Sequence, residues 1–306
     1  MQTFSTIIPI FAIILMGWIA RKKGYLHADF IGPANSLVFY LAIPAMVFSA
    51  IAKASLTAHF KLGTLIVTLS MVVLGCVVAW VLGKVYQLKQ DRLGSFVQTS
   101  FHGNLGYIGL AVTFYYLGEA GLVKASILTG FLMILQNMLA VLSLTIHASQ
   151  NGSARYGLPI LRNLAGNPVV ISAMAGIFCS LFRISVPQIL QRSLDILSGL
   201  ALPMALLIIG ASISFEKIKT TIKPVLSASV VKLIVMPGVG YACFTMLGYA
   251  AEEYLPGLIL LASPTATVSY VMAKEMGGDS DFAVIMISMS TLLSSLTYAF
   301  WLNVAG

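Results

Sequence analysis

Apolar residues run along this chain in blocks long enough to cross a bilayer, separated by short polar stretches. A hydrocarbon core ~30 Å thick takes about 20 helical residues. Ten blocks come close to or exceed that length: 3–20, 31–52, 62–85, 95–117, 125–148, 164–182, 194–213, 225–247, 255–273 and 282–305. The pattern predicts an all-α polytopic membrane protein with ten transmembrane helices. The stretches between the blocks are too short for a soluble domain, so function is expected inside the membrane part. The first block has no basic run before it, and Arg21, Lys22 and Lys23 follow it instead. That reads as a first spanning helix rather than a cleaved leader.

The pattern is written twice. Pro9 and Gly17 recur as Pro168 and Gly176, an offset of 159, and Leu41-Ala-Ile-Pro44 recurs as Leu200-Ala-Leu-Pro203 at the same offset. Leu117-Gly118-Glu119 matches Gly277-Gly278-Asp279 at 160. The reading divides the chain into a first five-helix repeat at 1–149, a connecting loop at 150–163 and a second repeat at 164–306. Five spans is an odd number, so the second copy enters from the opposite side and the repeats are inverted.

Helices 4 and 9 carry interruptions at matched places. Helix 4 contains His102-Gly103-Asn104-Leu-Gly106-Tyr-Ile-Gly109, and helix 9 contains Ala262-Ser263-Pro264-Thr265-Ala266-Thr267. Each mid-helix glycine costs about 1 kcal/mol relative to alanine, and proline removes a donor and clashes with the preceding turn. At an offset of 160, Asn104 falls on Pro264 and Gly106 on Ala266. Gly103, Gly106, Gly109 and Pro264 are therefore read as helix breaks. Broken backbone at membrane depth survives only where protein or water satisfies it. The second half-helices are expected to start near Gly106 and Ala266, each presenting free N–H groups and a partial positive charge. Two such starts meeting at one point form a site for an anion. A packing kink is the alternative for either break alone.

Composition changes the picture only in detail. The chain is 58% hydrophobic and 9% charged, with a formal net charge of +8. That excess does not point to nucleic acid, because it is segregated. Of 18 basic residues, 12 lie in the loops after helices 1, 3, 5, 7 and 9, and Lys232 is the one left inside a span. The positive-inside rule puts those loops in the cytoplasm and both termini outside. Cys76, Cys179 and Cys243 all fall within predicted spans and read as buried, reduced thiols. No metal-ligand cluster and no paired intramembrane aspartates are present, so the chain is not expected to be an enzyme and no cofactor is called for.

The chain resembles the auxin efflux carrier family, in its bacterial organic-acid (malate-type) permease branch, over essentially its whole length. The matching segments are Gly103-Asn104-Leu-Gly106-Tyr-Ile-Gly109, Leu202-Pro203 with Ile209-Gly210-Ala211-Ser212, Lys232-Leu-Ile-Val-Met-Pro237, and Ala262-Ser263-Pro264-Thr265-Ala266. The resemblance implies a bile-acid/sodium symporter-like fold. In it, helices 1, 2, 6 and 7 make a scaffold that dimerises through helices 2 and 7. Helices 3–5 and 8–10 make a mobile transport domain in which helices 4 and 9 cross. It implies secondary active transport of small organic anions by an elevator-type alternating-access movement, in a bacterial inner membrane with periplasmic termini. The plant carriers have an Asn-Pro pair at both crossings. Here Asn104 lacks a following proline and Pro264 lacks a preceding asparagine, which argues against auxin as the physiological substrate. An anion channel or a ligand-sensing membrane receptor stays open beside the carrier.

Around that crossing the candidate substrate-binding residues are Gly103, Asn104, Gly106, Gln136, Asn137, Lys232, Ser263, Thr265 and Thr267. Asn104 can both hold a carboxylate and cap the second half-helix. Ser263, Thr265 and Thr267 can bind a carboxylate, a sodium ion near Thr265, or local carbonyls. Gln136 and Asn137 are expensive in lipid and must face protein. Lys232 can draw an anion, pair with carbonyls at the crossing, or snorkel to the cytoplasm. His102 is the titratable group beside a break, suited to proton coupling or to bonding a freed carbonyl. The coupling ion, H+ or Na+, stays open.

Overall fold

The computed structural model describes residues 2–53, 61–147, 166–213 and 222–306. The connecting loop expected at 150–163 lies outside these residues. The described residues are helical almost throughout and contain no strand, only one isolated antiparallel bridge between Gly103 and Thr265. In chain order the helices are α1 (Gln2–Lys22), α2 (Ala28–Ala52), α3 (Leu62–Val85), α4a (Gln90–Phe101), α4b (105–117), α5 (119–146), α6 (Pro168–Leu181), α7 (Gln188–Ser212), α8 (Ile222–Met246), α9a (Ala251–Leu261), α9b (Val268–Glu275) and α10 (Ser280–Ala305). Helices α4b and α5 form one run, Leu105–Ile146, bent at Gly118 (φ 68°, ψ −161°).

Among the described residues, seven helices are long and apolar enough to cross a membrane. Pieces α4a, α9a and α9b are too short individually because each belongs to an interrupted pair. Several helices begin earlier than their apolar blocks: α4a at Gln90 rather than 95, α7 at Gln188 rather than 194. Their first turns are polar, so a count of apolar residues does not register them. In α4a that turn is held by protein, where Arg92 Nε pairs with Asp279 at 2.8 Å.

Prolines shape the long helices. Pro44 and Pro237 each lack the N–H that would bond four residues back. The turn just before each widens to a π turn, with Ile43 N–H reaching Val38 O and Met236 N–H reaching Val231 O. Pro237 cannot serve the Leu233 carbonyl. The indole of Trp301 on α10 donates to it instead, at 2.8 Å. This is how a buried carbonyl is satisfied where no water is available.

Packing repeats with the sequence. Helix α1 lies along α7, and α2 lies along α6. A side chain at Gly17 would run into the Leu207 carbonyl, and one at Gly176 would stand 3.3 Å from the Phe48 carbonyl. Gly17 to Gly176 and Phe48 to Leu207 are both steps of 159. Small residues here let two helix backbones approach closely, as membrane helices require. Among the described residues, positive φ falls at Gly24, Gln87, Gly118, Arg183, Gly248 and Gly277, and Gly24 and Arg183 stand 159 residues apart. Large apolar side chains such as Ile8, Ile189, Ile196 and Leu296 are exposed on the outside, as a lipid-facing surface demands.

Candidate functional site: the crossing of two broken helices

The two interruptions meet in the interior. Asn104 N–H donates to Pro264 O at 2.7 Å, and Ala266 N–H donates to His102 O at 2.8 Å. Residues 102–104 and 264–266 thus run antiparallel as two short extended segments joined by an isolated bridge. Under the offset of 160, Asn104 and Pro264 are each other's counterparts. A symmetric pair would exchange two bonds, but proline has no N–H to return. The Asn104 carbonyl accepts instead from Ile108 N and Gly109 N, at 3.2 and 3.0 Å.

Several other groups at the breaks have partners on neighbouring helices. Helix α4a ends at Phe101, whose carbonyl faces Gln136 Nε2 at 3.5 Å, while Gln136 Oε1 accepts from Gly103 N at 3.2 Å. Gln136 therefore grips the extended segment from α5. Thr265 Oγ1 donates to Thr99 O at 2.8 Å, and Thr265 N–H donates to Ser290 Oγ at 3.0 Å. Ser263 Oγ donates to Leu260 O at 2.7 Å. Lys232 Nζ donates to Leu261 O at 2.6 Å. Leu261 is the last residue of α9a, so its carbonyl lies at the negative end of that half-helix.

Helix α4b starts at Leu105, with Asn104 as its cap: Asn104 Oδ1 accepts from Tyr107 N at 3.3 Å. Helix α9b starts at Val268, after Thr267, two residues later than the start expected at Ala266. The reason is that Ala266 N–H is spent on His102 across the crossing. Gly109 is a further correction. It has helical angles (φ −57°, ψ −53°) and lies within α4b rather than at the break. Its role is close packing, since a side chain there would come within 2.9 Å of Leu260 Cδ2.

Of the candidate residues, the structure brings Gly103, Asn104, Gln136, Lys232, Ser263 and Thr265 together. A methyl group on Gly103 would overlap Ser263 Oγ and stand 3.2 Å from Lys232 Nζ. Gly106 faces α2 and α5, with Ile43 and Met133 nearest to it. Thr267 is half-buried at the start of α9b. Asn137 is not part of the cluster: its Nδ2 donates to Met133 O one turn back on its own helix, at 2.8 Å. Lys232 does not snorkel, being fully buried (0% exposed).

Three buried polar atoms at the crossing have no hydrogen-bond partner among the described residues: Asn104 Nδ2, His102 Nδ1 and Gln98 Oε1. His102 stacks on Phe101, with ring centroids 6.3 Å apart. An amide N–H left unengaged in a dry interior is a donor available to a ligand.

A model of the membrane transport protein family matches residues 2–302. The chain belongs to this family. An uncharacterized transporter of Methanocaldococcus jannaschii is 24% identical over 98% of each chain. A Rhizobium meliloti protein provisionally named a malonate transporter is 24% identical over 95% of this chain and 92% of its own. An uncharacterized transporter of Escherichia coli is 22% identical over 100% of this chain and 99% of its own. The chain is thus an integral membrane transport protein of the auxin efflux carrier family.

This transport protein also has a large cavity away from the crossing. It holds about 620 Å³ between α2, α7, α4b and the start of α5, and its lining includes Lys53, Asp195, Ser49 and Glu119. Lys53 and Asp195 are paired at 2.9 Å. The crossing shares no residue with this cavity, and its buried, unpartnered polar atoms mark it as the candidate site. Sequence reading singled out neither Gln98 nor Asn35, whose Oδ1 accepts from Tyr107 OH at 2.6 Å. Both are polar residues in apolar surroundings, which is the signal that could have found them.

Proposed function

We propose that this protein is a secondary active transporter of small organic anions, carboxylates of malonate or malate size, working by alternating access with its substrate site at the crossing. The observation that carries the reading is the unspent Asn104 Nδ2, buried at the start of α4b beside the positive end of that half-helix. Lys232, whose Nζ lies beside Gly103 at the same crossing, adds positive field when charged. The name of the Rhizobium meliloti relative favours a short dicarboxylate.

The mechanism we infer is an elevator in an inverted-repeat, ten-helix framework. The glycine-mediated contacts of α1 with α7 and of α2 with α6 suit a rigid scaffold. The other helices are knitted together by the crossing itself, by the Arg92–Asp279 pair and by Lys124 Nζ donating to Glu252 O at 2.8 Å. Bonds of this kind would let α3–α5 and α8–α10 travel as one body. A homodimer through α2 and α7, whose outward apolar residues include Tyr40 and Ile196, would anchor the scaffold. Placement in a bacterial inner membrane with external termini follows the charge segregation of the loops. Coupling to protons through His102 fits its unengaged Nδ1.

The test is uptake of labelled malonate and malate into proteoliposomes, with imposed ion gradients and trans-loaded acids. Saturable, trans-stimulated uptake that Asn104→Ala abolishes is the expected result. The variant should stay folded, losing about 1 kcal/mol for the missing cap. Linear, non-saturating flux would indicate a channel. Undiminished uptake by the variant would remove the crossing from consideration as the site.

A further inference from the structure

We propose that the Lys232 ammonium is a built-in cation that occupies the place of a coupling sodium ion at the crossing, so that this carrier works without sodium. The proposal rests on the transport reading above and specifies its energetics. Discontinuous membrane helices leave carbonyls at the C-terminal ends of their half-helices, and those ends are where coupling cations are held. Here the C-terminal residue of α9a is Leu261, and the group on its carbonyl is Lys232 Nζ at 2.6 Å.

The surroundings complete the picture. Gly103 on the other broken helix and Ser263 Oγ border the same point as the ammonium, because a methyl group at Gly103 would meet both. Carbonyl and hydroxyl oxygens are the ligands a hard cation takes. No carboxylate lies within ion-pair distance of Lys232 among the described residues. A fully buried lysine whose hydrogen-bond acceptor is a carbonyl is neither half of an ion pair nor a surface residue. Its Nζ is brought to the polar cluster from α8 on a side chain that cannot dissociate. A free sodium ion must be captured on every cycle, whereas a tethered ammonium is held at the site by its own chain.

The experiment compares wild type with Lys232→Met and Lys232→Gln, both in proteoliposomes and as purified protein in detergent. Wild-type uptake of labelled malonate should be unchanged when choline replaces sodium. The Lys232→Met variant should lose uptake in choline and regain part of it in sodium or methylammonium. Sodium should also raise the Tm of that variant, since a ligand that binds the folded state stabilises it, and should leave the wild-type Tm where it was. Wild-type uptake that requires sodium would overturn the proposal. So would a Lys232→Gln protein as active in choline as wild type, because that side chain keeps a donor without a charge. Failure of both variants to fold in sodium as in choline would overturn it as well, since restoring the cation should restore the site. If wild type moves no carboxylate under any gradient, the transport reading fails. The sodium-dependent Tm of the variants would still decide the role of Lys232.

Discussion

Gly103 shows how much a single missing side chain carries at this crossing. Its amide is held by Gln136, its neighbour Asn104 bonds to Pro264, and its α-carbon faces Ser263 and Lys232. A methyl group there would overlap the Ser263 hydroxyl, which is already committed to Leu260. Neither neighbour can move freely, since Lys232 is tied to Leu261. Gly103→Ala is therefore expected to prise the two broken helices apart. The cost should be about 1–3 kcal/mol, the usual range for overpacking, and uptake should be lost with it. Thermal unfolding in detergent and malonate uptake check the two halves of this prediction. A protein with wild-type Tm and wild-type uptake would mean that the crossing is looser than the structure indicates.

At the scale of elements, the turn at Gly118 separates α4b from α5 within one helical run. Its angles, φ 68° and ψ −161°, lie in a region that residues with a side chain avoid. Open space surrounds the position, so a methyl group would meet backbone strain and no clash. Gly118→Ala should destabilise by about 1–3 kcal/mol while leaving substrate affinity intact, since the turn is remote from Asn104. A fall in Tm with an unchanged KM for uptake is the expected result, and a changed KM would tie this turn to the site. The same scale shows what could be read in advance. Gly103 and Pro264 mark where helices 4 and 9 break, because glycine and proline weaken a helix locally, whereas Gly106 and Gly109 lie inside α4b. The start of α9b at Val268 was hidden, because it depends on Ala266 bonding to His102 on a distant segment. The fate of Asn137 was hidden likewise: its adjacency to Gln136 says nothing about which of the two faces the crossing. Lys232 was visible as an anomaly, but its carbonyl partner is a long-range contact that no local pattern encodes.

For the whole molecule, an elevator requires the transport-domain helices that pack on α6 to slide along it. Helix α5 does pack there, and its Gly130 sits so close to α6 that an added Cβ would be 3.0 Å from Ala173 Cβ. Bridged cysteines need a Cβ separation of about 3.5–4.5 Å, so a few tenths of an ångström of relaxation brings Gly130→Cys and Ala173→Cys within bonding range. The three native cysteines are free thiols, and replacing Cys76, Cys179 and Cys243 by serine or alanine removes competing pairings. Oxidation of the double-cysteine protein should then lock α5 to α6 and stop uptake, and reduction should release it. Each single-cysteine control should transport in both conditions. A carrier that works by small local gating at the crossing, with its two sets of helices fixed relative to each other, would instead keep its uptake when the disulfide forms. The bridge thus separates movement of the whole domain from movement of a few side chains, and a malonate-dependent rise in the Tm of the oxidised protein shows that binding survives when motion is lost.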